Sequence, residues 1–502
     1  MNSNVRLNKM NLAADITSVF KEAYLVGGAL RDALLKRPFK DIDLAVPPSA
    51  DFKARTQRLA RRLGASCFPL DEENQVYRLA QRKAPFCQLD IMPFLGGALE
   101  PDLKRRDFTV NALACKLTPS AAFTPDKKTG GFRLRPDKAG IIDLCGGLKD
   151  LAAKKVRPVS DKIFTDDPVR LLRAFRVAAA LDFTITPQAL QGVKEHSALI
   201  ATTAQERVRE ELMRLFESSV SHKWLALMHK HGLLCAIFPD LASQESCATA
   251  YYGKGGVMTH TLRVVERMDY LFEHLPACLP GHKKVAELLP APRTMKFAAL
   301  LHDIAKPPKA AMVKGRLRFF GHEEYGAIMA EKVMEQLRFS REDIRLVSKI
   351  IGTHLRPGNL AANDIISDRA MFRFFRTMGE YTIPLLALSW ADHASYVSPA
   401  QLEKMRRRLQ DQPAPLSPGI PYNSPKKTLR YMQVLNLLFG VYIKKNMKSR
   451  SARLIDGNDV IKTLKLPEGP RIGELLEKIH LLQFEGKIKT RDQALKALKG
   501  MK

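Results

Sequence analysis

The sequence predicts an α+β chain of several domains, with its strand signals gathered near the N-terminus and a long helical remainder behind them. Three observations predict this. Short apolar runs of strand length, bounded by turn residues, fall between Tyr24 and Met92. Behind the stretch from Asp143 to Leu151 the chain turns helical, with apolar residues at helical spacing among basic ones. The 502 residues exceed what one hydrophobic core usually supports, so about two to four domains are expected. An apolar content of 45% excludes a largely disordered protein.

The first element is the strand Tyr24-Leu25-Val26, which runs into Gly27-Gly28, a short basic helix and then Lys40-Asp41-Ile42-Asp43-Leu44-Ala45-Val46. Residues i and i+2 of a strand point to one face, so Asp41 and Asp43 project together. Like charges held that close raise each other's proton affinity, and both stay ionised only beside a cation. Mg²⁺ suits the pair because it binds a few carboxylates and completes its shell with water and phosphate. The glycine pair leaves backbone N–H groups uncovered at the start of a helix, where a triphosphate can approach.

The elements after Val46 follow in order. Asp51 to Leu63 carries apolar residues at helical spacing and ends at Gly64. Cys67 to Leu70, Val76 to Ala80 and Phe86 to Met92 read as strands, with a hairpin turn over Asp71-Glu72-Glu73-Asn74. Asp90, on the third of these, is placed to bring another acid to Asp41 and Asp43. The charged run from Asp102 to Leu113 would by default open an exposed helix. Thr118 to Lys138, rich in Pro, Gly, Lys and Thr, predicts an exposed hairpin or insertion. From Ile163 to Arg176 a helix is expected with an acid as its N-cap and Pro168 in its first turn. On it Asp167, Arg170 and Arg173 share one side, by default as salt-bridged surface charges.

Histidines and acids then recur in a helical setting: His260, His302-Asp303, His322, His354 and Asp392-His393. Adjacent helical residues diverge by about 100°, so His302 and Asp303 reach one ion only at the edge of a cavity, with other helices completing the shell. The remainder, from Gln401, alternates basic helical stretches with a Pro-rich break over Gln412 to Pro425.

Charge points to a polyanionic partner. Lys and Arg number 81 against 52 acids, a formal net charge of +29, and nucleic acid is the first expectation. No apolar run approaches the roughly 20 residues of a spanning helix. Met1 to Phe20 lacks a secretory pattern, so a cytoplasmic protein without a membrane partner is expected. The seven cysteines form no Cys-x-x-Cys and suggest neither a disulfide framework nor a zinc knuckle.

The stretch from Tyr24 to Val46 resembles the signature of the nucleotidyltransferase superfamily that includes DNA polymerase beta. Arg105-Arg106-Asp107-Phe108-Thr109-Val110-Asn111-Ala112 matches its class II branch, the CCA-adding tRNA nucleotidyltransferases and bacterial poly(A) polymerases. That resemblance implies a polymerase-beta-like head (1–151), a helical neck that binds base and RNA (152–245), and helical domains behind. It implies that Asp41 and Asp43 hold catalytic Mg²⁺, that Gly28, Arg31 and Arg106 bind the nucleotide, and that Asp107 and Asn111 fix the loop. Asp90 is a third carboxylate that class II enzymes do not use uniformly.

In the family, Glu-Asp-x-x-Arg is the amino-acid template that reads the base edges of cytosine and adenine. Here it is Asp166-Asp167-Pro168-Val169-Arg170, a departure at the first acid that keeps Asp167 and Arg170; Arg173 and Arg176 follow on the same helix as nucleotide-binding candidates. Glu206-Arg207-Val208-Arg209-Glu210-Glu211-Leu212 resembles a further family motif that braces the neck. The histidine set is similar to the HD phosphohydrolase superfamily. This implies one metal on His260, His302, Asp303 and Asp392, a second involving His322 and His354, and a domain (246–400) using Ni²⁺, Mn²⁺ or Co²⁺ as a phosphatase or 2′,3′-cyclic phosphodiesterase. The tail (401–502) resembles the tRNA-binding end of HD-containing members.

The activity implied is template-independent addition of CCA to tRNA from CTP and ATP. CC-adding, A-adding and poly(A)-making enzymes stay open, because only sixteen residues separate Asp90 from Asp107, where full CCA-adding members carry a longer flexible loop. An HD phosphohydrolase with an inactive head, or a basic RNA-binding scaffold, would each show losses among these ligand sets, and none is present. Oligomeric state is not legible.

Overall fold

The computed structural model describes residues 12–81, 88–126, 128–363, 365–417, 419–420, 425–445 and 454–501. The chain divides into two compact units, Met1–Glu211 with Met228–Ile237, and Leu212–Leu227 with Phe238–Lys502. The first holds all of the expected 1–151 segment and the opening part of the expected 152–245 segment. Of the rest of that segment, 228–237 also lies in the first unit, and 212–227 and 238–245 fall in the second.

In the first unit the strands β1 (Tyr24–Val26), β2 (Asp41–Val46), β3 (Ser66–Asp71), β4 (Val76–Ala80), β5 (Gln88–Pro93), β6 (Leu113–Lys116) and β9 (Ile141–Asp143) make one sheet. Its order is β3-β4-β5-β2-β1-β6-β9. The expected hairpin over residues 71–74 joins β3 to β4; Phe86 and Cys87, expected at the head of the third strand, lie outside the described residues. Between β6 and β9, the strands β7 (Phe123–Asp126) and β8 (Gly131–Leu134) pair as the separate hairpin expected there.

Central β2 runs antiparallel to β1 and parallel to β5. Its Ile42, Leu44, Ala45 and Val46 are buried, and Tyr24, Val26, Ala45, Phe94, Leu103 and Ala114 close one side of the core. Burying each of the larger of these side chains contributes about 1.5–3 kcal/mol. The same alternation that sinks Ile42 and Leu44 leaves Asp41 and Asp43 on the opposite face. A short parallel pair, β10 (Lys155–Val156) and β11 (Thr184–Ile185), flanks the neck helix Val169–Leu181 in the chain, with helix Gln205–Leu215 following.

The second unit is almost wholly helical. Gly256–Glu273, Pro292–Leu301, His322–Gln336, Arg341–Ile351 and Thr382–Ala394 pack together, with Phe297, Leu300, Leu301, Ile350 and Trp390 buried between them. The strands β12 (Ala311–Val313) and β13 (Arg316–Arg318) form a hairpin between helices Pro292–Leu301 and His322–Gln336 in the chain. Helix Pro425–Lys444 packs on Thr382–Ala394. Gly457–Leu464, Pro470–Phe484 and Arg491–Lys499 close over a core of their own that includes Val460, Leu464, Leu475 and Ile479. Of the Pro-rich break, residues 418 and 421–424 lie outside the described residues.

Candidate active sites

Register brings the head acids together. Asp43 stands opposite Val26 on β1 and opposite Asp90 on β5, and Asp41 lies two residues back on the same face. Burial pushes the Asp43 carboxyl up to about 6, opposed by Arg106 and reinforced by Asp90 and Asp41. Such a carboxyl carries its charge at neutral pH most readily beside a cation, and the rung therefore fits a divalent ion. Asp90 is already engaged: Arg78, opposite it on β4, donates from Nε and Nη2 at 2.8 and 2.7 Å. Arg78 has no counterpart in the sequence reading.

Gly27 closes the other side of this site. Its φ is +67°, and a Cβ there would stand 2.9 Å from Oδ2 of Asp43 and 3.3 Å from Nη1 of Arg106. Only glycine fits that backbone without displacing the carboxylate. Gly28 follows in the helix Gly27–Leu34, where Arg31 donates to Asn111 at 2.7 Å and also pairs with Asp32. Asn111 in turn donates to Asp107 at 3.0 Å. Arg106 is held by buried Asp102 at 2.9 Å, a partner that the i, i+4 spacing could have revealed. Arg31, Asn111 and Asp107 thus form one hydrogen-bonded chain, and Arg106, held by Asp102, stands next to Asp107 in sequence.

The neck helix joins the same network. Arg170 donates to the carbonyl of Arg105 at 3.1 Å, next to Arg106, and lies 3.8 Å from Asp167. Asp167 does not cap the helix as expected. Its backbone is extended ahead of Pro168, and its carboxylate receives both Nη1 and Nη2 of Arg207 at 3.0 and 2.8 Å. A bidentate guanidinium is the stronger partner, and the helix begins uncapped at Val169. Arg173 is shared between Asp107 at 3.5 Å and Glu211 at 3.1 Å, and Arg176 donates to Glu211 at 2.6 Å. Burial alone would raise the Asp107 carboxyl, but Arg173 and the Asn111 and Phe108 hydrogen bonds outweigh it and hold it below the usual range. From helix Gln205–Leu215, Arg207 therefore holds the base-reading candidate Asp167, and Glu211 holds Arg173 and Arg176.

In the second unit His260, His302, Asp303, His322, His354 and Asp392 converge, all of them buried. Nε2 of His260 lies 3.2 Å from both Asp303 and Asp392, and Nε2 of His302 lies 3.1 Å from Asp303. The Nε2 atoms of His322 and His354 face the other Asp303 oxygen at 3.5 and 3.8 Å. Each Nδ1 is committed elsewhere: to the carbonyls of Ala299, Phe319 and Ile351 for His302, His322 and His354, and to Ser395 Oγ for His260. Donating there leaves the Nε2 lone pair pointing inward, the tautomer a metal ligand needs.

Nε2 of His260, His302 and His322 and Oδ1 of Asp392 are buried without a hydrogen-bond partner. Orphaned acceptors cost stability unless a cation satisfies them, so the donor set fits a metal. Two groups, His260–His302–Asp303 and Asp303–His322–His354, each have ligand atoms within 4.8 Å of one another, with Asp303 common to both. Burial pushes His354 down to about 4, so it is a neutral donor at physiological pH.

One expectation is corrected here. His302 and Asp303 do not sit inside a helix: Pro292–Leu301 ends just before them. The turn lets both side chains face the cluster, while Gln244, itself bonded to Thr261, donates to the Asp303 carbonyl at 3.0 Å. Lys306 reaches Asp303 at 2.5 Å and Tyr252 Oη at 2.7 Å. Neither Lys306 nor Tyr252 was singled out from sequence, although Lys306 follows Asp303 at i+3. His393 turns away and stacks on Tyr431 with ring centroids 4.0 Å apart.

These two constellations define a nucleotidyltransferase head joined to an HD domain. Three family models match: the poly A polymerase head domain over residues 23–157, the probable RNA and SrmB-binding site of polymerase A over 182–245, and the HD domain over 257–396. The CC-adding tRNA nucleotidyltransferase of Thermus thermophilus is 30% identical over 483 residues, covering 94% of this chain and 92% of that protein. The A-adding tRNA nucleotidyltransferase of Deinococcus radiodurans is 29% identical and covers 94% of each. The multifunctional CCA protein of Cupriavidus necator is 28% identical over 70% of this chain and 79% of its own.

Among solved structures, the Thermotoga maritima CCA-adding enzyme complexed with tRNA shares the fold, with a TM-score of 0.58, 21% identity and coverage of 100% of this chain and 96% of that one. The chain belongs to the tRNA nucleotidyltransferase and poly(A) polymerase family, with an HD domain. Both domains imply dependence on divalent metal. Among the described residues no helix is long and apolar enough to cross a membrane.

Proposed function

We propose that this protein builds the 3′ end of tRNA without a nucleic-acid template, adding C, C and A from CTP and ATP at one active site in the first unit. The observation that carries this is the rung of Asp41, Asp43 and Asp90 beside the Gly27 turn, tied through Arg106 and Arg105 to the neck helix with Asp167 and Arg170. Asp41 and Asp43 would hold Mg²⁺, and the ion would supply Lewis-acid activation of the 3′-hydroxyl and positive charge for the pyrophosphate leaving group. Arg31, Arg106 and the N–H groups at Gly28 bind the triphosphate. Asp167 and Arg170 present donors and acceptors to the base edge, and a base that mismatches leaves them unpaired. Arg173 and Arg176 act through Asp107 and Glu211, setting the pitch of the template helix.

A second reading is favoured by a specific observation. Four relatives that align over more than nine-tenths of this chain are named CC-adding, in Thermus thermophilus, Geobacter sulfurreducens and Synechocystis, or A-adding, in Deinococcus radiodurans. With the short Asp90–Asp107 link, this supports an enzyme that makes only part of CCA.

In the second unit the inward Nε2 atoms support an HD phosphohydrolase centre for Ni²⁺, Mn²⁺ or Co²⁺, acting as a phosphatase or 2′,3′-cyclic phosphodiesterase. When bound there, the metal would supply an activated water to a phosphoester. The test separates the two centres. Asp41→Ala or Asp43→Ala should abolish nucleotide incorporation in single-turnover assays and spare metal-dependent phosphoester hydrolysis, and His302→Ala or Asp303→Ala should do the reverse. Wild-type incorporation by either head variant would sink the assignment of the head.

A further inference from the structure

The β12–β13 hairpin lies between two ligand candidates in the chain, Asp303 ahead of it and His322 behind, both of the group Asp303–His322–His354. From Ile304 to Gly321 the sequence carries Lys306, Lys309, Lys314, Arg316 and Arg318 and no acid. Lys314 and Gly315 at the tip have φ of 50° and 71°, the paired left-handed conformation of a two-residue turn that fixes hairpin register locally. Arg316 stands opposite Val313 and Arg318 opposite Ala311, so both cations share one face.

That face is uncovered: every residue of β12 is exposed, as are Arg316 and Arg318. Phe320, two residues past Arg318, is 72% exposed, and Met312, opposite Leu317 on the other face, is 68% exposed. Neither Arg316 nor Arg318 has a carboxylate partner among the described residues. Inward from Phe320 the path continues. The Phe319 ring lies 6.3 Å from that of His322, and Lys306 Nζ stands 5.7 Å from the Phe319 ring while paired with Asp303.

Cations along one strand with an exposed aromatic at its end are what a single-stranded nucleic acid needs: charge for the phosphates and a platform for a base. We propose that β12–β13 with Phe320 docks a single-stranded RNA end, its backbone along Arg316 and Arg318 and a base on Phe320, so that the terminal phosphoester enters the histidine–aspartate centre. This rests on the phosphoesterase reading of that centre. For a 2′,3′-cyclic end, a water oxygen forms the new bond to phosphorus, one ring P–O bond breaks, and the departing ribose oxygen takes up a proton of that water.

The probe is a six-nucleotide RNA with a 2′,3′-cyclic phosphate and 4-thiouridine beside its last residue, used with the full chain. Photo-cross-links are expected between residues 309 and 320. Phe320→Ala should weaken binding about tenfold, and Arg316→Ala with Arg318→Ala should reduce the salt slope by about 1.4. In both variants the rate on this RNA relative to bis(p-nitrophenyl) phosphate should fall about tenfold. Cross-links confined to other residues, or wild-type affinity in both variants, would overturn the proposal, as would Phe320-dependent binding to anionic vesicles without an RNA cross-link. If the wild type hydrolyses neither ester with any of the three metals, the phosphoesterase reading fails and the cross-link alone decides the docking strip.

Discussion

At the scale of single residues, Asp43 carries the sharpest consequence. Burial pushes its carboxyl from 3.8 to about 6. A carboxyl with a native pKa above its unfolded value binds its proton more tightly in the native state, so stability falls as pH rises from about 4 to about 6 and stays lowered above that. The shift corresponds to about 3 kcal/mol. Asp43→Asn should therefore raise the melting temperature in EDTA at pH 8 and leave it unchanged below pH 4, while abolishing incorporation. Mg²⁺ should stabilise the wild type and not the variant. Equal melting of the two proteins at pH 8 in EDTA would show that Asp43 bears no such burden. The Asp41–Asp43 pair was legible because strand periodicity alone puts both on one face. That Arg78 occupies Asp90 was not, since it depends on which residue of β4 lies opposite, and register across strands is not written in local sequence.

At the scale of elements, the neck turns on how helix Gln205–Leu215 holds helix Val169–Leu181. Glu211, buried, takes both Arg173 and Arg176. Glu211→Ala leaves Arg176 without its hydrogen-bonded carboxylate and Arg173 with Asp107 alone, and a loss of about 2–3 kcal/mol is expected by urea denaturation. Arg207→Ala differs, because Arg207 is half exposed and its ion pair with Asp167 contributes under about 1 kcal/mol to stability. Its effect should appear in fidelity instead: Asp167 loses its clamp, and misincorporation of U or G should rise about tenfold with little change in melting, for a lost charge-assisted bond of roughly 1.4 kcal/mol. Unchanged fidelity in Arg207→Ala would mean that Asp167 is held without it. The sequence offered an acid ahead of Pro168 as the helix cap because short acids are common caps. It could not show that an arginine forty residues on competes for the same carboxylate and wins with two hydrogen bonds.

At the scale of the molecule, each unit carries one centre, and a net charge of +29 spans both. Affinity for tRNA should fall steeply between 50 and 200 mM salt, as counterions return to the phosphates, and a flat dependence would count against nucleic acid as the main partner. The head and neck were legible because their motifs concentrate chemistry within a few residues, and the histidine set because its members, though spread from His260 to Asp392, recur in a fixed order around the adjacent His302-Asp303 pair. Glu211 was legible only as part of a neck-bracing motif, without its partners Arg173 and Arg176, and Arg78 and Tyr252 were not legible at all, because packing brings them from elsewhere. What is added decides most. A fixed Asp167–Arg170 pair presents one donor–acceptor pattern at a time, so the growing 3′ end must reshape the pocket between C and A. tRNA ending at the discriminator base should take two C from CTP alone, and one A from ATP only after both. Arg170→Ala should cost about 1–3 kcal/mol of discrimination and admit U or G. Sizing the products on a gel, with each triphosphate offered singly to tRNA ending at the discriminator, at C and at CC, separates the cases. Two C without A makes this a CC-adding enzyme, A on CC-ended tRNA alone an A-adding one, and long A tracts on arbitrary RNA a poly(A) polymerase.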